Sequence, residues 1–198
     1  MGFFQPKYQQ CSDESLMEMI ARRDEWAFDE LYRRYSNRML RYFYRMLWQD
    51  EEKAQDFLQD LFLKVVEKAS DFDPGRRFGT WIYTLAANMC KNAYRSQQVR
   101  SIMVRAEPGM EGPTVAADEG GVDRALFQNG LKQEIAQMSE SHREVLILRF
   151  QEELPIKEIS EIVGCSEGTV KSRLFYALKK LNGRLKAFDP KNNYWMAE

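Results

Sequence analysis

The chain has one histidine, His142, and three widely spaced cysteines, Cys11, Cys90 and Cys165. A lone imidazole excludes a multi-histidine metal centre. The cysteines are odd in number and form no CxxC pair, so neither a zinc site nor a disulfide framework is expected, and the thiols read as reduced. No apolar run approaches the ~18 residues of a membrane span. The first residues, MGFFQPKYQQ, lack a charged stretch followed by an apolar one, so the expected location is the cytoplasm. There is no Glu-x-x-His, no nucleotide-binding loop and no nucleophile beside a base, which leaves no candidate catalytic residue, metal or cofactor. One-sided charge is lacking too. Over 198 residues, 29 Lys and Arg face 30 Asp and Glu, a net charge of −1. A uniformly basic nucleic-acid coat is therefore excluded, though a segregated one is not.

The charge is in fact segregated. Residues 49–73 hold eight acids and three lysines, and residues 76–105 hold six basic residues and no acid. Residues 106–123 hold five acids and no base, and residues 164–187 hold six bases and one acid. The two positive blocks would attract phosphate through Coulomb attraction and counterion release. From charge alone, two solvated surface faces explain the pattern equally well.

Helical periodicity dominates the rest. Ser12 or Asp13 can cap a first helix with Leu16, Met19 and Ile20, and Asp24 a second running from Ala27 to Leu47. Ala54, Phe57, Leu58, Leu61, Phe62, Val65 and Val66 recur at three- and four-residue steps and form one apolar stripe. Asp73-Pro74-Gly75 ends that run in a turn, and Thr80 can cap a fourth helix. Leu131, Ile135 and Met138 mark another helix, Val145 to Gln151 a further one, and Pro155 suits the first position of the next. No stretch alternates with period two long enough for a strand. The expected fold is all-α: two small helical domains, 11–100 and 124–188, joined by a flexible acidic linker, 101–123. Glycine, proline and acids without aromatics make that stretch unable to bury a core, an ordered surface loop being the alternative.

Two constellations carry chemistry. IKEISEIVGCSEGTVKSRLFYALKKL, residues 156–181, reads as a helix-turn-helix. Ile159, Ile162 and Val163 face inward, Gly164 supplies a positive φ at the turn, and Ser166 caps the second helix. That helix turns Val170, Leu174, Ala177, Leu178 and Leu181 inward. It leaves Thr169, Lys171, Ser172, Arg173 and Tyr176 outside, on a face that fits a major groove about 12 Å wide. A plain packed helical hairpin is the other reading. RRFGTWIYTLAANMCKNAYR, residues 76–95, interleaves Arg76, Arg77, Lys91 and Arg95 with Phe78, Trp81 and Asn88 and has no carboxylate. Unstacked bases need stacking surfaces and amides, and the backbone needs cations. Aromatics at helical spacing also serve simply as core.

At this point the chain resembles the extracytoplasmic-function (ECF) sigma factors of the σ70 family over about 165 residues. ESLMEMIARRDEWAFDELYRRY, AQDFLQDLFLKVV, FGTWIYTLAANMCKNAYR and SESHREVLILRF with the helix-turn-helix each resemble a family segment, in the family's order. The resemblance implies a non-enzymatic factor that binds core RNA polymerase, at the clamp helices of the β′ subunit and the flap of the β subunit, and directs recognition and melting of promoter DNA. It implies polymerase docking by Asp56, Gln59 and Asp60. Minus-ten contacts fall to Arg76, Arg77, Phe78, Trp81, Asn88, Lys91 and Arg95, with the 73–80 loop shaping a pocket for a flipped base. Minus-thirty-five contacts fall to Thr169, Lys171, Ser172, Arg173 and Tyr176. A membrane-associated anti-sigma factor is the further partner that the resemblance implies. Departures are Tyr176, where some members carry arginine, Ser139, where many carry proline, and Pro155, where many carry serine or threonine. A stand-alone helix-turn-helix regulator would leave the carboxylate-free aromatic block without a purpose.

Overall fold

The computed structural model describes residues 6–104, 131, 134–135 and 137–185, and all regular structure among them is helical. After a single turn, α1 (Pro6–Gln9), come α2 (Asp13–Ala21), α3 (Glu25–Met46) and α4 (Glu51–Glu67), then a short 3₁₀ turn (Ala69–Asp71) and α5 (Phe78–Val104). The second half holds α6 (Glu140–Phe150), α7 (Ile156–Val163) and α8 (Glu167–Leu185). Leu131, Glu134 and Ile135 are helical, consistent with the helix expected there. The expected linker lies outside the described residues apart from 101–104, which prolong α5 past Arg100.

Local chemistry explains the starts. Ser12 Oγ accepts the Ser15 N–H at 3.1 Å, Asp24 accepts the N–H groups of Trp26 and Ala27 at 3.0 and 3.2 Å, and Asp50 accepts that of Lys53 at 3.0 Å. Asp73 closes the turn before α5 by accepting the Gly75 N–H at 2.9 Å. α5 departs from expectation: it begins at Phe78, and Thr80 lies inside its first turn with its hydroxyl buried and unpaired. The cap comes from another helix instead, where Glu14 on α2 accepts the Phe78 N–H at 2.9 Å. That bond also holds the Glu14 carboxyl below its ordinary range. Pro155 precedes α7 rather than opening it.

The apolar rows pack as their spacing requires. Ala54, Leu58, Leu61, Phe62 and Val65 of α4 are buried against α3, while Val66, expected in the stripe, is 49% exposed because it lies one step beyond the inward arc. In α5 the row Phe78, Ile82, Ala86 and Cys90 is fully buried. The core does not stop at the first domain. Val145, Ile147, Leu148, Ile159, Ile162, Val163, Val170 and Leu174 join the same cluster, with α7 laid against α5 and α6 against α3. Full burial of one such side chain contributes about 1.5–3 kcal/mol, so the two domains are held together by substantial apolar contact.

Candidate nucleic-acid interface

The α5 face begins in the loop before it. Arg76 and Arg77 are exposed; Arg76 lies 3.9 Å from Asp73, and Arg77 pairs with Glu158 of α7. The loop and α2 border a cleft of about 510 Å³ lined by Ser12, Glu14, Ser15, Glu18, Arg76 and Arg77. Phe78 corrects the sequence expectation. Its ring is fully buried, edge-on to Tyr35 at 5.0 Å and Phe72 at 6.0 Å, so it packs the core and presents nothing on which a base can stack. The reason is its place at the head of the inward row of α5. Trp81 is half-buried against Phe72 at 5.2 Å and keeps an open side. Asn88, Asn92 and Arg95 are exposed along the opposite face of the helix.

Lys91 is held by the second domain. Its Nζ donates to the carbonyl of Val163 at 3.3 Å and lies 3.8 Å from Glu144. Val163 is the last residue of α7, where the helix dipole favours a cation. Glu144 is 1% exposed, and burial pushes its carboxyl up to about 7. Lys91 opposes that shift, but 3.8 Å is too long for a hydrogen bond, so desolvation prevails.

On α8, Thr169, Lys171, Ser172 and Tyr176 are exposed and Arg173 partly so, while Val170, Leu174, Ala177 and Leu181 are buried. Gly164 turns the chain with φ +71° and ψ +40°, and Ser166 Oγ accepts the Thr169 N–H at 3.2 Å. Phe175, not singled out in the sequence, is exposed beside Tyr176 with ring centroids 5.5 Å apart. Its position four residues after Lys171 was the available signal. On α4, Asp56, Gln59 and Asp60 are exposed and form one row with exposed Leu63 and Val66, one turn and two turns further on.

Sequence reasoning missed the residues that join the halves. Arg143 is buried and donates to the carbonyls of Ile135, Met138 and Met46 at 3.1, 3.1 and 3.3 Å and to the Tyr94 hydroxyl at 2.9 Å. Glu152, in the turn after α6, accepts the Tyr83 hydroxyl and lies near Arg38 and Arg45. Nothing in a one-dimensional pattern marks the partners across the halves, because Arg143 lies 97 residues from Met46 and 49 from Tyr94, and Glu152 69 residues from Tyr83.

Residues 31–100 match sigma-70 region 2, and residues 128–181 match sigma-70 region 4. The chain is 32% identical over 184 residues to the RNA polymerase sigma-H factor of Pseudomonas aeruginosa, covering 89% of this chain and 95% of that protein. It is 28% identical over 178 residues to the ECF RNA polymerase sigma factor SigW of Bacillus subtilis, covering 86% and 95%. Among solved structures, CnrH in complex with the cytosolic domain of CnrY shares the fold, with a TM-score of 0.65 at 21% identity over 89% of this chain and 99% of that one. The Bartonella quintana sigma factor RpoE, in complex with the anti-sigma factor NepR, gives a TM-score of 0.57 at 29% identity over 76% and 91%. The chain therefore belongs to the σ70 family of RNA polymerase sigma factors, in its extracytoplasmic-function group, and is a non-enzymatic initiation factor that binds core polymerase and directs promoter recognition and melting.

Proposed function

We propose that three faces divide this work in the cytoplasm. The exposed side of α5, with the 73–77 loop, takes the minus-ten strand: Trp81 offers a stacking edge, Asn88 an amide, and Arg76, Arg77, Lys91 and Arg95 the cations. The exposed side of α8 enters the minus-thirty-five major groove with Thr169, Lys171, Ser172, Arg173 and Tyr176. The α4 row Asp56, Gln59 and Asp60 docks on the clamp helices of the β′ subunit, and the second domain meets the flap of the β subunit. The observation that carries this reading is the split character of α5. One side is an apolar row that is fully buried, and the other exposes Asn88, Asn92 and Arg95 along a helix that carries no carboxylate of its own. An anti-sigma factor is the further partner we propose, on the example of the Bartonella quintana RpoE bound to NepR.

Asn88→Ala should impair promoter opening more than formation of the closed complex, because the amide is used only once a base has left the stack. Permanganate footprinting of the melted region checks this. Normal melting by the variant would assign Asn88 to another role.

A further inference from the structure

Glu152 belongs to the second domain, yet its carboxylate is buried against the first. Tyr83 of α5 donates its hydroxyl to Oε2, Arg38 Nε of α3 lies 3.5 Å from Oε2, and an Arg45 Nη, also of α3, lies 3.6 Å from Oε1. The Glu152 side chain is 4% exposed, whereas Arg38 and Arg45 keep 43% and 34% of their side-chain surface open. Two more second-domain carboxylates do the same thing, Glu158 on Arg77 and Glu144 facing Lys91. These four ion pairs all run in one direction: acids of the second domain sit on cations of the first. All four cations lie on the side of the first domain that meets the second, and Arg38 of α3 sits over the Tyr83 ring of α5 at 5.9 Å. Arg77 and Lys91 already belong to the proposed minus-ten face.

A carboxylate and a phosphodiester present the same thing to a guanidinium, a pair of anionic oxygens that accept hydrogen bonds. We infer that Arg38 and Arg45, with the Tyr83 hydroxyl between them, are phosphate-holding residues of the DNA-binding surface, and that Glu152 occupies their site as a phosphate surrogate when the domains are closed. The inference rests on the minus-ten reading of α5. Arginine suits the task because its charge persists at any working pH and its fork addresses two oxygens. The tyrosine hydroxyl is a neutral donor, as its bond to Glu152 shows. Closure and DNA binding then compete for the same cations.

Binding of a fork-junction promoter probe with a single-stranded minus-ten strand, measured across a salt series, tests this. In holoenzyme, Arg38→Gln and Arg45→Gln should each weaken binding and lower the salt slope by about one, and Arg45→Lys should restore the slope by returning the charge. Glu152→Gln should leave holoenzyme binding unchanged, because the domains are then apart. In free protein, Glu152→Gln should tighten binding of the same probe roughly tenfold, the order expected from losing hydrogen bonds to a charged group. If both arginine variants keep the wild-type slope in holoenzyme while Lys91→Gln lowers it, the arginines serve closure alone and the inference fails. If Lys91→Gln is silent too, the minus-ten reading of α5 fails with it.

Discussion

At Gly164 the backbone adopts φ +71°, and a Cβ placed there would meet nothing within 4 Å. Space is therefore not the constraint; the left-handed conformation is. Gly164→Ala should lower stability by about 1–2 kcal/mol, with an unchanged denaturant slope in equilibrium unfolding. Glu144 makes the opposite kind of point, since it is a packing problem the sequence does not show. Its Oε1 is buried without a hydrogen-bond partner. Facing it are Lys91, Cys90 and Tyr94 of α5, Tyr42 of α3, Glu140 of α6 and Arg173 of α8. Burial raises its pKa from 4.5 to about 7, so the folded protein holds a proton that the unfolded chain has lost. This contribution to stability is complete below 4.5 and is lost as pH rises through about 7. The unfolding midpoint should fall over that window, and Glu144→Gln should flatten the fall. An unchanged pH profile in the variant would place the titration elsewhere.

Individual helices were legible where apolar residues recur at helical spacing and the caps lie close by in the chain. α3 and α4 bury most of their predicted stripes, Val66 excepted, although α3 meets α2, α4, α5 and α6, and the serine and aspartate caps act over two or three residues of chain. The start of α5 was misjudged for the converse reason: its cap, Glu14, arrives from 64 residues away. The α4 row is a prediction at this scale. Reversing Asp56 and Asp60 to lysine should weaken core polymerase binding while circular dichroism stays unchanged, because both side chains are exposed. Intact affinity with intact helicity would remove this face from the interface. On α8, Arg173→Ala should weaken all DNA sequences alike, whereas substitutions of Ser172 should alter base preference at one position, worth ~1–3 kcal/mol. Selection of binding sites by each variant separates the two behaviours.

For the whole molecule the decisive fact is contact between the domains. Promoter boxes one and a half to two helical turns apart are separated by about 50–70 Å, yet here α7 lies on α5 and covers Lys91. Free protein should therefore bind promoter duplex weakly, and core polymerase should raise affinity far beyond the sum of the two domains by holding them at promoter spacing. Changing the spacer by half a turn should abolish the gain, which fluorescence anisotropy with and without core can measure. Tight, spacing-sensitive binding by free protein would favour a stand-alone regulator.

The sequence by itself determined the helices, the two-domain plan, the helix-turn-helix and the segregation of charge, because period, caps and turn residues act within a few residues of one another. Only the tertiary structure decided that Phe78 packs the core rather than facing a base, that Glu14 caps α5, and that Glu144, Glu152 and Glu158 rest on the cations of the first domain. These outcomes depend on which surfaces meet. Among amphipathic helices many pairings satisfy the same local pattern, and the choice is made by burial and charge across the contact.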